Sequence, residues 1–211
     1  SIELLEYEIG NVLRKGISGK EMKLAFSDGH GELSIEETAD VANALSEFYN
    51  VSRININLTD SNCYKMFTKE VSEQPDRPVL SVFVESLIKK LNTYDGLIVA
   101  KPTIQFTEPE KFVLDQYVMN GGKVLWAIDQ LNTPMDSLQQ NGSVISLDYG
   151  LNVDDMLFKY GVRVNSTLVE DRQCAPMPVM FGQPGDDQPR MELRQWMYFP
   201  VFVPEANHPI V

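Results

Sequence analysis

Short apolar runs alternate along this chain with amphipathic stretches that carry helix-capping signals. Residues 97–100 and 124–128 are unbroken apolar runs, a pattern typical of parallel strands that helices cover on both faces. Between them, Thr107 and Glu110 form a capping box, and the glycines at 121–122 end the helix. The alternation predicts a β-α-β unit, and we expect both runs to lie at the centre of a parallel sheet.

The same alternation extends over most of the chain. Periodicity predicts further strands at 23–26, 54–58, 162–169 and 194–203, and helices at 2–15, 35–49, 80–91 and 153–160. Strands 54–58 and 162–169 alternate apolar and polar residues and are expected at sheet edges, while 59–76 and 171–190 show no periodicity. The order predicts an α/β fold: an open parallel sheet with helices on both faces, flavodoxin-like strand order 2-1-3-4-5, and a C-terminal β extension.

We expect three parts along the chain. They are a lead-in helix in residues 1–18, a flavodoxin-like α/β domain in residues 19–171, and a loop with a β extension in residues 172–211. The lead-in stretch is amphipathic before the breaker Gly16, with apolar positions at Ile2, Leu5, Ile9 and Val12. The chain has no initiating Met and ends on 207–211 without a closing element, so we expect it to be a fragment of a longer protein.

Charge excludes several classes of protein. The 211 residues include 18 Lys and Arg against 30 Asp and Glu, a formal net charge of −12. Such a chain repels phosphate backbones and anionic lipid headgroups, which argues against nucleic-acid binding. No run of about 18 apolar residues occurs, so we expect no membrane span within this sequence. Cys63 and Cys174 fit no metal-ligand spacing, and whether they pair is left open.

Motifs for familiar catalytic chemistry are missing. The sequence has no G-x-x-x-x-G-K-[ST], no G-x-G-x-x-G, and no G-x-S-x-G or G-x-C-x-G nucleophile elbow. With His30 and His208 as the only imidazoles, neither a hydrolytic triad nor an H-E-x-x-H zinc site can be assembled. We therefore predict no catalytic residues, no metal and no cofactor.

Polar side chains follow three predicted strands at their carboxyl ends, where ligands bind in open α/β sheets. They are Asp28, His30, Glu32, Lys101, Thr103, Asp129 and Gln130. One hypothesis is a small polar pocket for a sugar, or for a metal held by Asp28, His30 and Glu32. The hypothesis we favour is structural: two glycines allow a turn around His30, Glu32 serves the start of the next helix, and Lys101 pairs with Asp129.

A segment rich in aromatic residues and Met, residues 191–202, has two explanations. Trp, Tyr and Met are enriched at protein interfaces, so the segment could form an exposed partner-binding patch. A strand that packs into the core is the more frequent case.

Three segments resemble the GldG family, the gliding-motility-associated ABC transporter auxiliary proteins of Bacteroidetes. They are Gly-His-Gly-Glu at 29–32, Tyr-Asp-Gly-Leu-Ile-Val-Ala-Lys-Pro-Thr at 94–103, and the stretch 106–129 that ends in Gly-Gly-Lys-Val-Leu-Trp-Ala-Ile-Asp. The likeness extends to 7–9 and 207–210 and so covers nearly the whole chain. The Lys-Pro pair at 101–102 and the block 121–129 are its most specific parts.

The resemblance implies a periplasmic domain of a protein anchored in the inner membrane by helices outside this sequence. It also implies two partners, an ABC permease and its separate ATPase. The family's domain is similar to the glutamine-amidotransferase-like fold and to a module of intraflagellar-transport proteins, both flavodoxin-like in outline. The missing cysteine nucleophile agrees with a non-catalytic descendant of that fold.

Two functional hypotheses follow. In the first, the chain is a non-catalytic extracytoplasmic module of an ABC transporter auxiliary subunit linked to gliding motility or export, and it acts through protein docking or ligand binding. In the second, it is a hydrolase or glycan-acting enzyme that uses Asp28, His30, Glu32 or Asp129 as general acid and base. We expect the first.

Overall fold

A four-stranded parallel sheet forms the centre of the fold. The computed structural model describes residues 22–133, 145–181 and 190–201. The strands are β1 (Lys23–Asp28), β2 (Asn50–Asn55), β3 (Gly96–Ala100) and β4 (Lys123–Ala127), in the order β2-β1-β3-β4. The α/β class is confirmed, and so is the edge position of the second strand.

Helices lie between these strands and after them. They are α1 (Ala39–Ser46), α2 (Ser61–Met66), α3 (Thr68–Ser72), α4 (Val79–Leu91), α5 (Glu108–Met119) and α6 (Asp154–Lys159). The predictions for α4, α5 and α6 are confirmed. Helix α1 is shorter than the predicted 35–49: residues 35–38 form a turn, and the helix ends at Ser46. Helices α2 and α3 were missed, since five or six residues are too few to show a periodic stripe.

The far side of the sheet differs from the prediction. Strand β4 is an edge strand of the described sheet, not a central one, and residues 162–169 form no strand beside it. An alternating pattern makes a strand only where a neighbouring strand accepts its hydrogen bonds, and the apolar side chains of Val162 and Val169 are exposed instead. The fifth strand of the predicted order is therefore wrong. Two short strands, β5 (Leu131–Asn132) and β6 (Leu147–Asp148), pair antiparallel nearby in the chain.

The chain divides into two compact units, Ser1–Asn165 and Ser166–Val211. The second contains an antiparallel pair, β7 (Cys174–Phe181) and β8 (Arg190–Pro200), which confirms the C-terminal β extension. The prediction of a loop over 171–190 is wrong for Cys174–Phe181, which form β7. Pro176 and Pro178 are tolerated in this strand because both strands of a two-stranded sheet are edges. The predicted boundaries at 18 and 171 stay predictions.

One face of the sheet holds the main core and is here called the core face. Residues in register on neighbouring strands point to the same face, and Ala25, Leu97 and Val99 lie on this one. They belong to the hydrophobic core together with side chains of α4 and α5. Those side chains are Phe83, Leu87, Leu91, Val113, Leu114 and Tyr117. The opposite face carries Leu24, Phe26, Ile98 and Leu125 and is called the open face. On it, Phe26 is buried and Leu125 is exposed.

Three further predictions concern the lead-in helix, membrane spans and the cysteines. The lead-in helix predicted at 2–15 lies outside the described residues. Across the parts that are described, no helix combines the length and apolarity needed to cross a bilayer. Cys63 and Cys174 are both free thiols.

Candidate functional site at the carboxyl edge of the sheet

Two loops at the carboxyl edge of the sheet are bonded to each other. The carbonyl of His30, in the loop after β1, accepts the backbone N–H groups of Thr103 (2.8 Å) and Ile104 (2.9 Å), in the loop after β3. The N–H of Leu33 donates to the carbonyl of Ala100 at 3.0 Å. Because β1 and β3 are neighbours, their following loops meet, and these bonds hold the backbone of both in one arrangement.

Glycines on either side of His30 make this loop conformation accessible. Gly29 and Gly31 have φ of +106° and +69°, in the left-handed region that residues with a side chain rarely adopt. A Cβ on Gly31 would also collide with Oγ1 of Thr103, which donates a hydrogen bond to the carbonyl of Gly31 at 3.1 Å. The predicted turn around His30 is present, and the glycines permit it.

The turn directs His30 into the protein, where it is 0% exposed. Its ring stacks on Phe106, with ring centroids 4.0 Å apart and 14° between the planes. Nε2 lies 3.2 Å from Oε2 of Glu110, and Nδ1 lies 3.9 Å from Oε1 of Glu32. Neither contact has hydrogen-bond geometry. We call His30, Glu32, Phe106 and Glu110 the buried cluster.

Glu110 is the best-satisfied member of the buried cluster. Its Oε1 accepts the N–H of Leu58 and its Oε2 the N–H of Thr107, both at 2.7 Å. Burial raises the pKa of Glu110, but the adjacent His30 ring and the donors from Thr107 and Leu58 outweigh this and lower the pKa to about 2. The carboxylate is therefore ionised while almost fully buried.

Sequence reasoning assigned Glu110 to a helix cap and missed its contact with His30. The capping box itself is confirmed. Glu110 also contacts Leu58 and His30, which lie far away along the chain. The spacing of neighbouring residues therefore does not predict these contacts. The signal that could have found the cluster is weak: a capping-box Glu and a preceding aromatic residue, both following the strand next to β1.

The other predicted site residues are distributed over separate contacts. Oδ1 of Asp28 accepts the N–H of Gly29 at 3.0 Å, and the side chain of Gln130 donates to Oδ1 of Asp154 at 2.7 Å. Nζ of Lys101 lies 4.0 Å from Oδ2 of Asp129, with the two side chains 46% and 53% exposed. The structure brings His30, Glu32 and the backbone of Thr103 together, whereas Lys101 and Asp129 form an exposed pair.

This arrangement offers little reactive chemistry. A general acid or base must touch the group whose proton it transfers, and the side chains of His30 and Glu32 are sealed from solvent. Burial, together with Asp60 and Glu110, raises the pKa of Cys63 to about 11, which keeps that thiol unreactive at neutral pH. Within residues 22–133, 145–181 and 190–201, no group of three or more His, Cys, Asp or Glu side chains is arranged to hold a metal ion. The enzymatic hypothesis is not supported.

Comparison with known proteins places the chain in a family. The profile of a family described as ABC-type uncharacterized transport system matches residues 21–211. This match covers the parallel sheet, the buried cluster and the C-terminal strand pair. Neither a curated protein nor a solved structure matches the chain significantly. Since the family profile spans most of the chain, the protein belongs to the ABC-type uncharacterized transport system family, as an ABC transporter auxiliary protein.

Proposed function

We propose that this chain is a non-catalytic, periplasmic domain of an ABC transporter auxiliary subunit, and that it works by docking to the transporter's permease. The family match supports association with transporter components. The likeness of 29–32, 94–103 and 106–129 to the GldG family of Bacteroidetes supports a link to gliding motility or export. On the periplasmic side, the permease is the partner that the domain can reach, and the ATPase is bound through it.

The burial of His30 is the observation that carries the proposal. His30 is the one imidazole in the described part of the chain, and it is stacked under Phe106 between two carboxyl groups. The groups that an enzyme of this fold would place at the strand ends serve here to hold loops together. The function left for this domain is then the recognition of another molecule by its surface.

The C-terminal strand pair has a surface suited to such recognition. In the part of β8 that pairs in regular register with β7, Met191 and Leu193 lie on one face and are exposed, at 66% and 70%. The even-numbered positions include Glu192 and Arg194, whose side chains form an ion pair at 3.5 Å. Met side chains adapt to a partner's shape, and exposed apolar patches mark interaction sites. We propose the face of β8 that carries Met191 and Leu193 as the permease-docking surface.

Ligand binding at the strand ends stays a prediction. Asp28, Lys101 and Asp129 are the exposed members of the predicted set and the ones a small molecule or glycan could reach. We place this second to docking, because the remaining members are buried or bonded within the protein.

Co-purification from membranes tests the docking proposal. We expect the complete native protein to retain its permease in detergent, and Leu193→Arg to reduce the retained permease at least tenfold. Glu192→Arg introduces the same side chain one position away on the opposite face, and we expect it to retain the permease. Circular dichroism would verify that both variants are folded. Equal retention by Leu193→Arg and the unmodified protein would exclude this surface, and no retention by the unmodified protein would refute docking.

A further inference from the structure

The C-terminal strand pair leaves two outer edges that another strand could join. Strands β7 and β8 pair with each other, and no other strand of the described residues pairs with either. Residues 191–195 of β8 are all exposed, so the part of the chain that the structure describes covers neither face of this stretch. An isolated two-stranded sheet is only marginally stable in water. A further strand along one of the edges would therefore stabilise the pair.

Prolines block the outer edge of β7. In the ladder, Pro176 pairs with Gln195, and Pro178 pairs with Leu193. A hydrogen-bonded pair exchanges two N–H···O bonds, and proline has no N–H to donate, so both pairs are of the non-hydrogen-bonded kind. The backbone nitrogens of Pro176 and Pro178 therefore point away from β8. This edge of the sheet lacks donors for an added strand.

The outer edge of β8 keeps its donors. The two kinds of pair alternate along an antiparallel ladder, so the pairs on either side of Leu193, at 192 and 194, are the hydrogen-bonded ones. The groups that point away from β7 are then the N–H and C=O of Met191, Leu193 and Gln195. None of these residues is a proline, so β8 offers a row of donors and acceptors to an added strand.

A second copy of the chain fits this row because the row is symmetric about Leu193. When β8 pairs antiparallel with itself at this point, Met191 of each copy faces Gln195 of the other, and Leu193 faces Leu193. Outward-pointing residues meet only outward-pointing residues, so each pair exchanges both of its N–H···O bonds. A two-fold interface of this kind is closed, and association ends at the dimer. The row stops before Met197, whose carbonyl accepts the N–H of Asp171 at 2.9 Å.

The charged side chains of β8 favour the same register. It places Glu192 of each copy opposite Arg194 of the other, in non-hydrogen-bonded pairs, where side chains come closest. Opposite charges across strands stabilise a sheet. Within one strand the two side chains lie 3.5 Å apart, so a second copy completes a ring of alternating charges.

The net charge of the whole chain, −12, opposes association. Salt screens that repulsion beyond about 8 Å at physiological ionic strength. Strand β8 itself contains two Arg and one Glu, so the pairing edge does not add to the repulsion.

From these observations we infer that β8 pairs antiparallel with β8 of a second copy of the chain, in the register that places Leu193 opposite Leu193. The product is one continuous sheet that contains β7 and β8 of both copies. The inference concerns the edge of β8, whereas the docking proposal concerns one of its faces, so the two are independent and are tested by different measurements.

Charge reversal tests the register. We expect the 211-residue chain to sediment as a dimer at about 0.15 M salt. Glu192→Arg places Arg opposite Arg194 at both positions, and Arg194→Glu places Glu opposite Glu192. We expect either variant alone to raise the Kd of the dimer at least about tenfold. An equimolar mixture of the two variants again has Arg opposite Glu at both positions, and we expect its Kd to lie within about threefold of the original.

Arg172→Glu is the matched control, because it changes the net charge as much as Arg194→Glu but lies outside β8. We expect it to change the Kd less than about twofold. A mixture that fails to restore the dimer, or a dimer that both variants leave unchanged, would overturn the inference. An unmodified chain that is monomeric at about 0.1 mM would also overturn it, and would leave this edge to a strand of another protein.

Removal of one outward N–H tests the hydrogen bonding. Leu193→Pro deletes the central donor of the row but keeps the bonds to β7, because position 193 lies in a non-hydrogen-bonded pair. Leu193→Ala removes the side chain and keeps the N–H, so it is the matched control. We expect the Kd of Leu193→Pro to exceed that of Leu193→Ala at least about tenfold. Equal Kd values would overturn the inference.

Hydrogen exchange on the unmodified chain gives an answer that does not depend on the folding of any variant. Above the Kd of the dimer, we expect the amide of Leu193 to be protected, and on dilution below the Kd we expect it to exchange faster. The amide of Glu192, which bonds to β7, should stay protected at both concentrations. An amide of Leu193 that exchanges equally fast at both concentrations would overturn the inference.

Discussion

The carboxyl edge of the sheet contains two groups of charged residues, and the sequence pattern at the strand ends does not distinguish between them. In the buried cluster, His30 and Glu110 are fully enclosed and Glu110 accepts two backbone N–H groups. Lys101, after β3, and Asp129, after β4, face solvent. Nζ of Lys101 lies 4.0 Å from Oδ2 of Asp129, and about half of each side chain is exposed. His30 is inside because the loop after β1 turns inward at two glycines. Asp129, in contrast, follows β4, an edge strand of the described sheet.

The comparison teaches that position at a strand end does not set the role of a charged residue. Charges in the interior interact strongly because water does not screen them, and each must have partners. Exposed charges interact weakly, because water and salt screen them. We therefore expect the buried cluster to stabilise the fold, and the exposed pair to contribute little to it.

Glu110→Gln should have the largest effect. At neutral pH the carboxylate accepts N–H bonds with both oxygens, and a Gln amide would turn a donor toward one of those donors. We expect a loss of about 3–5 kcal/mol in the free energy of unfolding, measured by urea denaturation. Glu108→Gln, in the same first turn but exposed, is the matched control, with an expected change below about 1 kcal/mol. Equal losses from both would show that burial does not separate the two groups.

Acid should remove the same stabilisation gradually. The pKa of Glu110 lies at about 2 in the folded protein, below its ordinary value of 4.5. Its contribution, roughly 3 kcal/mol, is therefore complete above pH 4.5 and is lost as the pH falls toward 2. We expect the difference in unfolding free energy between the unmodified protein and Glu110→Gln to shrink over this window. A difference that stays constant from pH 5 down to about pH 2 would contradict the low pKa.

Gly31→Ala should have the next largest effect. The positive φ of Gly31 and the collision of a Cβ with Thr103 add together, and we expect a loss of about 2–3 kcal/mol in urea denaturation. Gly121→Ala is the matched control, because Gly121 also has a positive φ (+93°) but an added Cβ meets nothing within 4 Å. We expect about 1 kcal/mol there. If Gly121→Ala lost as much stability as Gly31→Ala, the bonding between the loops after β1 and β3 would not be what constrains the turn at Gly31.

Lys101→Ala should have the smallest effect. The ion pair with Asp129 is long and half-exposed, so we expect a change below about 0.5 kcal/mol in the free energy of unfolding, and less at high salt. Asp129→Asn removes the same pair from the other side and should change stability equally little. A loss above about 1 kcal/mol for either variant would show that this pair stabilises the fold, as the buried cluster is expected to do.

Much of the fold could be predicted from local signals. The stripe of α4, the capping box and the glycine stop of α5, and the apolar runs of β1 and β3 each depend on neighbours within a few residues, and each is confirmed. Strand β7 was missed because it contains two prolines, which in sheets are confined mainly to edge strands. The sequence does not reveal that both strands of this pair are edges. The run at 124–128 suggested a central strand, but a run of apolar residues does not reveal how many neighbours it has.

The candidate site was less predictable. The seven polar residues and the turn around His30 followed from the sequence, but the partners of His30 did not. Phe106 and Glu110 meet it only because β1 and β3 lie side by side, so that the segments following them pack together. Whether the predicted residues also bind a ligand stays a prediction.

The sequence by itself determined where α4 and α5 begin and end, which stretches are apolar, and that a glycine lies on each side of His30, because these are properties of neighbouring residues. Only the tertiary structure decided that His30 lies inside and Lys101 outside, and that Glu110 is charged while buried. Those outcomes depend on which distant segments exclude water from a side chain and which backbone N–H groups reach it, and that information lies in the packing of the sheet.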